Sequence, residues 1–106
     1  MEQLPVQQLK DWLDRGEVPP RIIDVREPWE YNVCRIEPSE LIPMGQIPNH
    51  VETLDPEQEL VILCHHGIRS LQVCRFLEHH GFTKLYNVYG GIDAWAKEVD
   101  HNMNQY

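Results

Sequence analysis

Leu60-Val61-Ile62-Leu63-Cys64-His65-His66-Gly67-Ile68-Arg69-Ser70 decides how this chain folds. Four apolar residues run directly into a cysteine, and a short loop with one glycine and one arginine follows. From Ser70 onward, Leu71, Val73, Cys74, Phe76 and Leu77 cover the broad apolar face of a helix, which Gly81 ends. A strand that ends in a cysteine and turns at once into a helix sets a thiol among free backbone N–H groups. Such a junction binds anions and stabilises a thiolate.

Working outward, the pattern repeats. Val6, Leu9, Trp12 and Leu13 follow helical spacing, with Pro5 at a first helical position and Gly16 as the stop. Arg21 to Val25 reads as a short buried strand, and Glu27 to Tyr31 as one helical turn. Between Arg35 and Glu52 the chain is broken by Pro38, Pro43, Gly45 and Pro48. A brief strand at Leu41-Ile42 and a short helix within Gln46 to Leu54 are expected there. Lys84 to Val88 is another strand, and Gly90-Gly91 leads into a last helix through Ile92, Trp95 and Val99. Residues 100–106 are polar and expected to fray. Strands alternating with helices predict an α/β fold with a mainly parallel sheet, in one domain over 1–106. In such sheets ligands bind at the carboxyl ends of strands, where Cys64 falls.

Composition narrows the function. The 106 residues are 42% hydrophobic and 25% charged, ordinary for a globular chain with one core. A net charge of −8 argues against nucleic acid, which needs a basic face, and gives no reason to expect an anionic membrane surface as partner. No apolar run approaches the ~20 residues of a membrane span. The segment Met1 to Pro5 lacks the basic and apolar regions of a signal peptide. Three cysteines without a CxxC pair read as reduced thiols of a cytoplasmic protein, not a disulfide framework.

Cys64 is the candidate nucleophile. A buried structural cysteine is the alternative, and the polar, flexible, cationic residues that follow argue against it. Arg69 closes a Cys-x-x-x-x-Arg loop, and its planar fork suits two oxygens of a sulfonate- or phosphate-like group. Gly67 lets the loop curl with its N–H groups inward, although a plain turn glycine reads almost as well. His65 and His66 either donate to an anion or point to solvent. A zinc site would recruit Cys64, His65, His66, Cys74, His79 and His80, but that spacing fits no structural zinc pattern, so no metal or cofactor is expected. Asp24 and Arg26 follow the first buried strand and read as supporting residues, with Asp24 also a natural turn cap. Cys34 reads as a loop thiol and Cys74 as a core thiol.

These residues carry a family resemblance. Asp24-Val25-Arg26-Glu27-Pro28-Trp29-Glu30-Tyr31, Ile42-Pro43, Cys64 to Ser70 and Gly90-Gly91-Ile92-Asp93-Ala94-Trp95 together resemble a single rhodanese domain over almost the whole chain. The resemblance implies the rhodanese-like three-layer fold, a mainly parallel central sheet flanked by helices. It also implies a persulfide-forming Cys64 in a cradle of loop amides from His65, His66, Gly67, Ile68 and Arg69. The activity implied is that of a thiosulfate sulfurtransferase, with a small-molecule sulfur donor and a protein or thiol acceptor. Related phosphatases carry one more residue between Cys and Arg. One departure is Cys34-Arg35-Ile36, where many members have Gly-His-Ile. That form resembles domains fused to enzymes that make protein thiocarboxylates. It supports an alternative reading as a slow sulfur carrier or regulatory module docking on such a system.

Overall fold

Five parallel strands form one sheet, β1 (Glu2–Pro5), β2 (Arg21–Asp24), β3 (Glu40–Leu41), β4 (Leu60–Leu63) and β5 (Leu85–Tyr89), in the order β1-β5-β4-β2-β3. The structure, a computed structural model, describes residues 1–16 and 18–106. The helices are α1 (Val6–Asp14), α2 (Pro28–Val33), α3 (Ile47–His50, between two 3₁₀ turns), α4 (Ile68–His79) and α5 (Gly91–Glu98). Among the described residues no helix is long and apolar enough to cross a membrane.

The central strand β4 shows why the run Leu60–Leu63 has no polar alternation. Leu60 and Ile62 face one apolar layer with Val73, Cys74 and Leu77 of α4, together with Ile47. Val61 and Leu63 face the other layer, with Leu9 of α1 and Ile92 and Trp95 of α5. Successive side chains of a strand point to opposite faces, so a strand covered on both sides must be apolar throughout. Cys64 follows this strand and packs in the α4 layer.

Two expectations need correcting. The N-terminus begins with a strand, not at the helix: Glu2–Pro5 pairs with β5, Leu4 opposite Val88. Only Leu4 of the four is buried, so an edge strand this short shows no alternation to read. Residues 100–106 do not simply fray. Met103 packs against the α1/α5 layer, Asn104 donates to the Val33 carbonyl at 3.4 Å, and the Tyr106 ring stacks on His65. Their polarity concealed one aromatic residue whose ring and hydroxyl each find a partner.

The remaining elements lie within a few residues of expectation. Helix α4 begins at Ile68, two residues before Ser70, because Gly67 takes a left-handed conformation (φ 100°) and turns the chain into it. Helix α2 is longer than one turn. It is started by Glu27, whose side chain and that of Glu30 each accept a hydrogen bond from the other's backbone.

Candidate functional site

The floor of the site is the strand-to-helix junction. Cys64 is 1% exposed, and its Sγ accepts hydrogen bonds from the backbone N–H of Gly67 at 3.1 Å and of Ser70 at 3.3 Å. Both donors exist because the first turn of α4 has no earlier carbonyls to bond. Two N–H groups and the positive end of a 12-residue helix converge on one sulfur, an arrangement suited to sulfur in an anionic state.

The Ser70 hydroxyl also lies 3.2 Å from Sγ. Its direction follows from Asn87, whose amide nitrogen donates to the Gly67 carbonyl at 3.3 Å and to Gln3 Oε1 at 2.9 Å. The Asn87 oxygen therefore faces Ser70 and accepts its hydroxyl proton. With its proton given to Asn87, Ser70 Oγ accepts from Cys64 while that group is a thiol, and must turn from Asn87 to donate to a thiolate; the Ser70 backbone N–H donates to the sulfur in either state. Neither Ser70 nor Asn87 stood out in the sequence, since a serine starting a helix and an asparagine in a strand are unremarkable alone.

The loop is held from outside by α5. The N–H groups of Ile92 and Asp93 donate to the carbonyls of Cys64 and His65 at 2.9 and 3.0 Å. These bonds turn two loop carbonyls away from the cradle. The contact is close: a Cβ on Gly91 would lie 2.3 Å from the His65 oxygen and 2.6 Å from the Cys64 oxygen. Gly91 (φ 61°) is needed for that approach as well as for its backbone conformation.

Arg69 does not stand alone in the loop. Its two terminal nitrogens grip both oxygens of Glu30 at 2.6 and 2.9 Å. That ion pair holds the buried Glu30 carboxyl down at about 2 and raises the Arg69 guanidinium. The end of the fork expected for a ligand is therefore taken by Glu30. Among the described residues Arg69 Nε makes no hydrogen bond, so the guanidinium's side edge is what it offers an anion.

Among the described residues neither Asp24 nor Arg26 hydrogen-bonds Cys64. Both are fully buried; Arg26 bonds Asp24 through Nε at 2.9 Å and Nη2 at 2.7 Å. Arg26 then reaches the carbonyls of Glu30 at 3.3 Å and Cys34 at 2.7 Å. Asp24 also accepts the Arg26 backbone N–H at 3.1 Å, the turn cap its position suggested. The pair thus anchors α2, which carries Glu30. Cys34 lies 3.8 Å from Arg26, partly buried. Cys74 is buried in the core, where burial pushes its thiol up to about 12.

The side chains of His65, His66 and Ile68 surround the loop without bonding Sγ. Ile68 is 69% exposed. The two imidazoles stack at 4.0 Å, and burial followed by the neighbouring His66 lowers His65. With Asp93 they are the one group of potential metal ligands among the described residues, their ligand atoms within 4.8 Å. The two rings are engaged in the stack, and Asp93 is paired with Lys97 at 3.0 Å.

The family model of the rhodanese-like domain matches residues 5–98. The chain is 46% identical over 78 residues to YtwF of Bacillus subtilis, covering 74% of this chain and 75% of that one. It is 34% identical over 76 residues to a sulfurtransferase of Allochromatium vinosum, covering 72% and 71%. A rhodanese-like domain protein from Staphylococcus aureus superposes with a TM-score of 0.85 at 31% identity, over 100% of this chain and 99% of that one.

Proposed function

The chain belongs to the rhodanese-like domain family, and from that membership we propose that it is a sulfurtransferase working through a persulfide on Cys64. The observation that carries the reading is the sulfur itself: Sγ sits at the end of β4 and accepts two backbone N–H groups from the loop and the start of α4.

In the proposed reaction the Cys64 thiolate attacks the outer sulfur of thiosulfate. A new S–S bond forms to Cys64, the donor's S–S bond breaks, and its electron pair leaves on sulfite. An acceptor nucleophile such as cyanide, a thiol or a partner protein then attacks the terminal sulfur and returns Cys64 as thiolate. The loop amides of His65 to Arg69 cradle the anionic terminal sulfur, Gly67 allowing the curl and the Ile68 side chain staying outside. Arg69, clamped by Glu30, meets the donor's sulfonate oxygens with its side edge. Asp24 and Arg26 support this by fixing α2. The short Cys-x-x-x-x-Arg loop makes a tight cradle, favouring a sulfane sulfur over a phosphoryl group.

Incubation with thiosulfate, then removal of excess donor, should leave the protein heavier by one sulfur atom. Reducing agent should remove that mass, and peptide mapping should place it on Cys64. Absence of the adduct with thiosulfate and with low-molecular-weight persulfides would reject the enzyme reading.

A further inference from the structure

Tyr106 makes four contacts at the mouth of the site. Its ring stacks on His65, centroids 4.0 Å apart and planes 18° from parallel, and meets the Trp29 ring edge-on at 5.5 Å. Its hydroxyl donates to Glu30 Oε2 at 2.6 Å and accepts from Arg26 Nη1 at 3.0 Å. Arg26 is fully buried and fixed by Asp24, and it has only protons to give. The phenol proton is therefore directed to Glu30. Burial and the Glu30 carboxylate push the phenol up to about 12, so it stays protonated at neutral pH.

Glu30 Oε2 is shared between Tyr106 and Arg69 Nη2. The Glu27 N–H holds the other oxygen, Oε1, at 3.0 Å; with Tyr106 on Oε2 the carboxylate plane is set from both sides, and the plane of an arginine bonded to it through two nitrogens follows. Arg69 itself is 32% exposed and has little else to hold it. Resting on the sulfurtransfer reading above, we propose that Tyr106 is a positioning residue for the anionic sulfur donor: through Glu30 it sets the plane of Arg69, so that the guanidinium side edge is presented to a sulfonate-type group. The role belongs to donor uptake alone. Discharge of the persulfide to a small acceptor brings no sulfonate group for Arg69 to orient.

Tyr106→Phe, which keeps the ring stack and removes the hydroxyl, tests this in the full chain. Sulfur loading from thiosulfate is measured by single-turnover mixing and mass spectrometry, and discharge of preloaded protein to cyanide is measured separately. Loading efficiency should fall about tenfold, the worth of one hydrogen bond to a charged group, through a higher donor KM. Discharge should match wild type. Tyr106→Ala should load no better than Tyr106→Phe. Loading by Tyr106→Phe equal to wild type would overturn the proposal, as would equal slowing of both half-reactions, or a defect confined to Tyr106→Ala. A wild-type chain that never loads would instead reject sulfurtransfer itself, before any variant is compared.

Discussion

Replacing Glu30 by Gln removes one charge and keeps the side chain's shape. Glu30 is buried and accepts from Arg69 twice, from Tyr106 and from the Glu27 N–H at 3.0 Å. These partners hold its carboxyl at about 2 against an ordinary 4.5. At ~1.4 kcal/mol per unit, the difference is about 3 kcal/mol of folding stability at neutral pH. Arg69 is partly exposed and can turn to water when its partner is lost, so its own desolvation adds little. With ~2.1 cal/mol/K per residue of unfolding entropy, about 3 kcal/mol lowers Tm by roughly 10–15 °C. Because the folded carboxyl is the stronger acid, its contribution is complete above 4.5 and disappears as pH falls through about 2. Urea unfolding followed by circular dichroism at several pH values gives the wild-type minus Glu30→Gln gap. That gap should be about 3 kcal/mol at neutral pH and should narrow steadily in acid. A gap below ~1 kcal/mol at neutral pH, or one unchanged down to the acid limit, would refute the account of this ion pair.

Three further outcomes are expected. Cys64→Ser should abolish thiosulfate:cyanide transfer while Cys34→Ala keeps most of it; comparable loss from Cys34→Ala would indicate a two-cysteine relay. Gly91→Ala should destabilise the fold by about 2 kcal/mol or more and displace the Cys64 loop, because its Cβ strikes loop backbone at a left-handed residue. Gly81→Ala, also left-handed (φ 89°) but with nothing within 4 Å, should cost about 1 kcal/mol and leave transfer intact; equal effects from the two variants would dismiss the close-approach argument. Arg69→Lys should impair thiosulfate use although it keeps the charge, since an ammonium cannot grip Glu30 twice and still offer a second edge. Lys performing as well as Arg would refute that geometry, and Cys64-dependent aryl phosphate hydrolysis exceeding sulfur transfer would refute the substrate reading.

Much of the strand and helix pattern, and the position of Cys64, were legible in the chain. Leu60–Leu63, apolar at every position, reads as a strand, and alternation with helices makes the sheet mainly parallel. Cys64 then had to lie at a strand's carboxyl end, beside the unbonded N–H groups of a helix start. These are consequences of local periodicity and of backbone donors that every helix leaves free. Tertiary structure decided which partners each side chain finds. Glu30 takes the fork of Arg69 from 39 residues away, and Tyr106 reaches Glu30 across 76. Asn87 sets the Ser70 hydroxyl, and Gly91 brings α5 against the loop. No periodicity records such pairings, because each depends on how two layers close over the sheet. For that reason the position of Cys64 was legible in the chain and the groups that orient its surroundings were not.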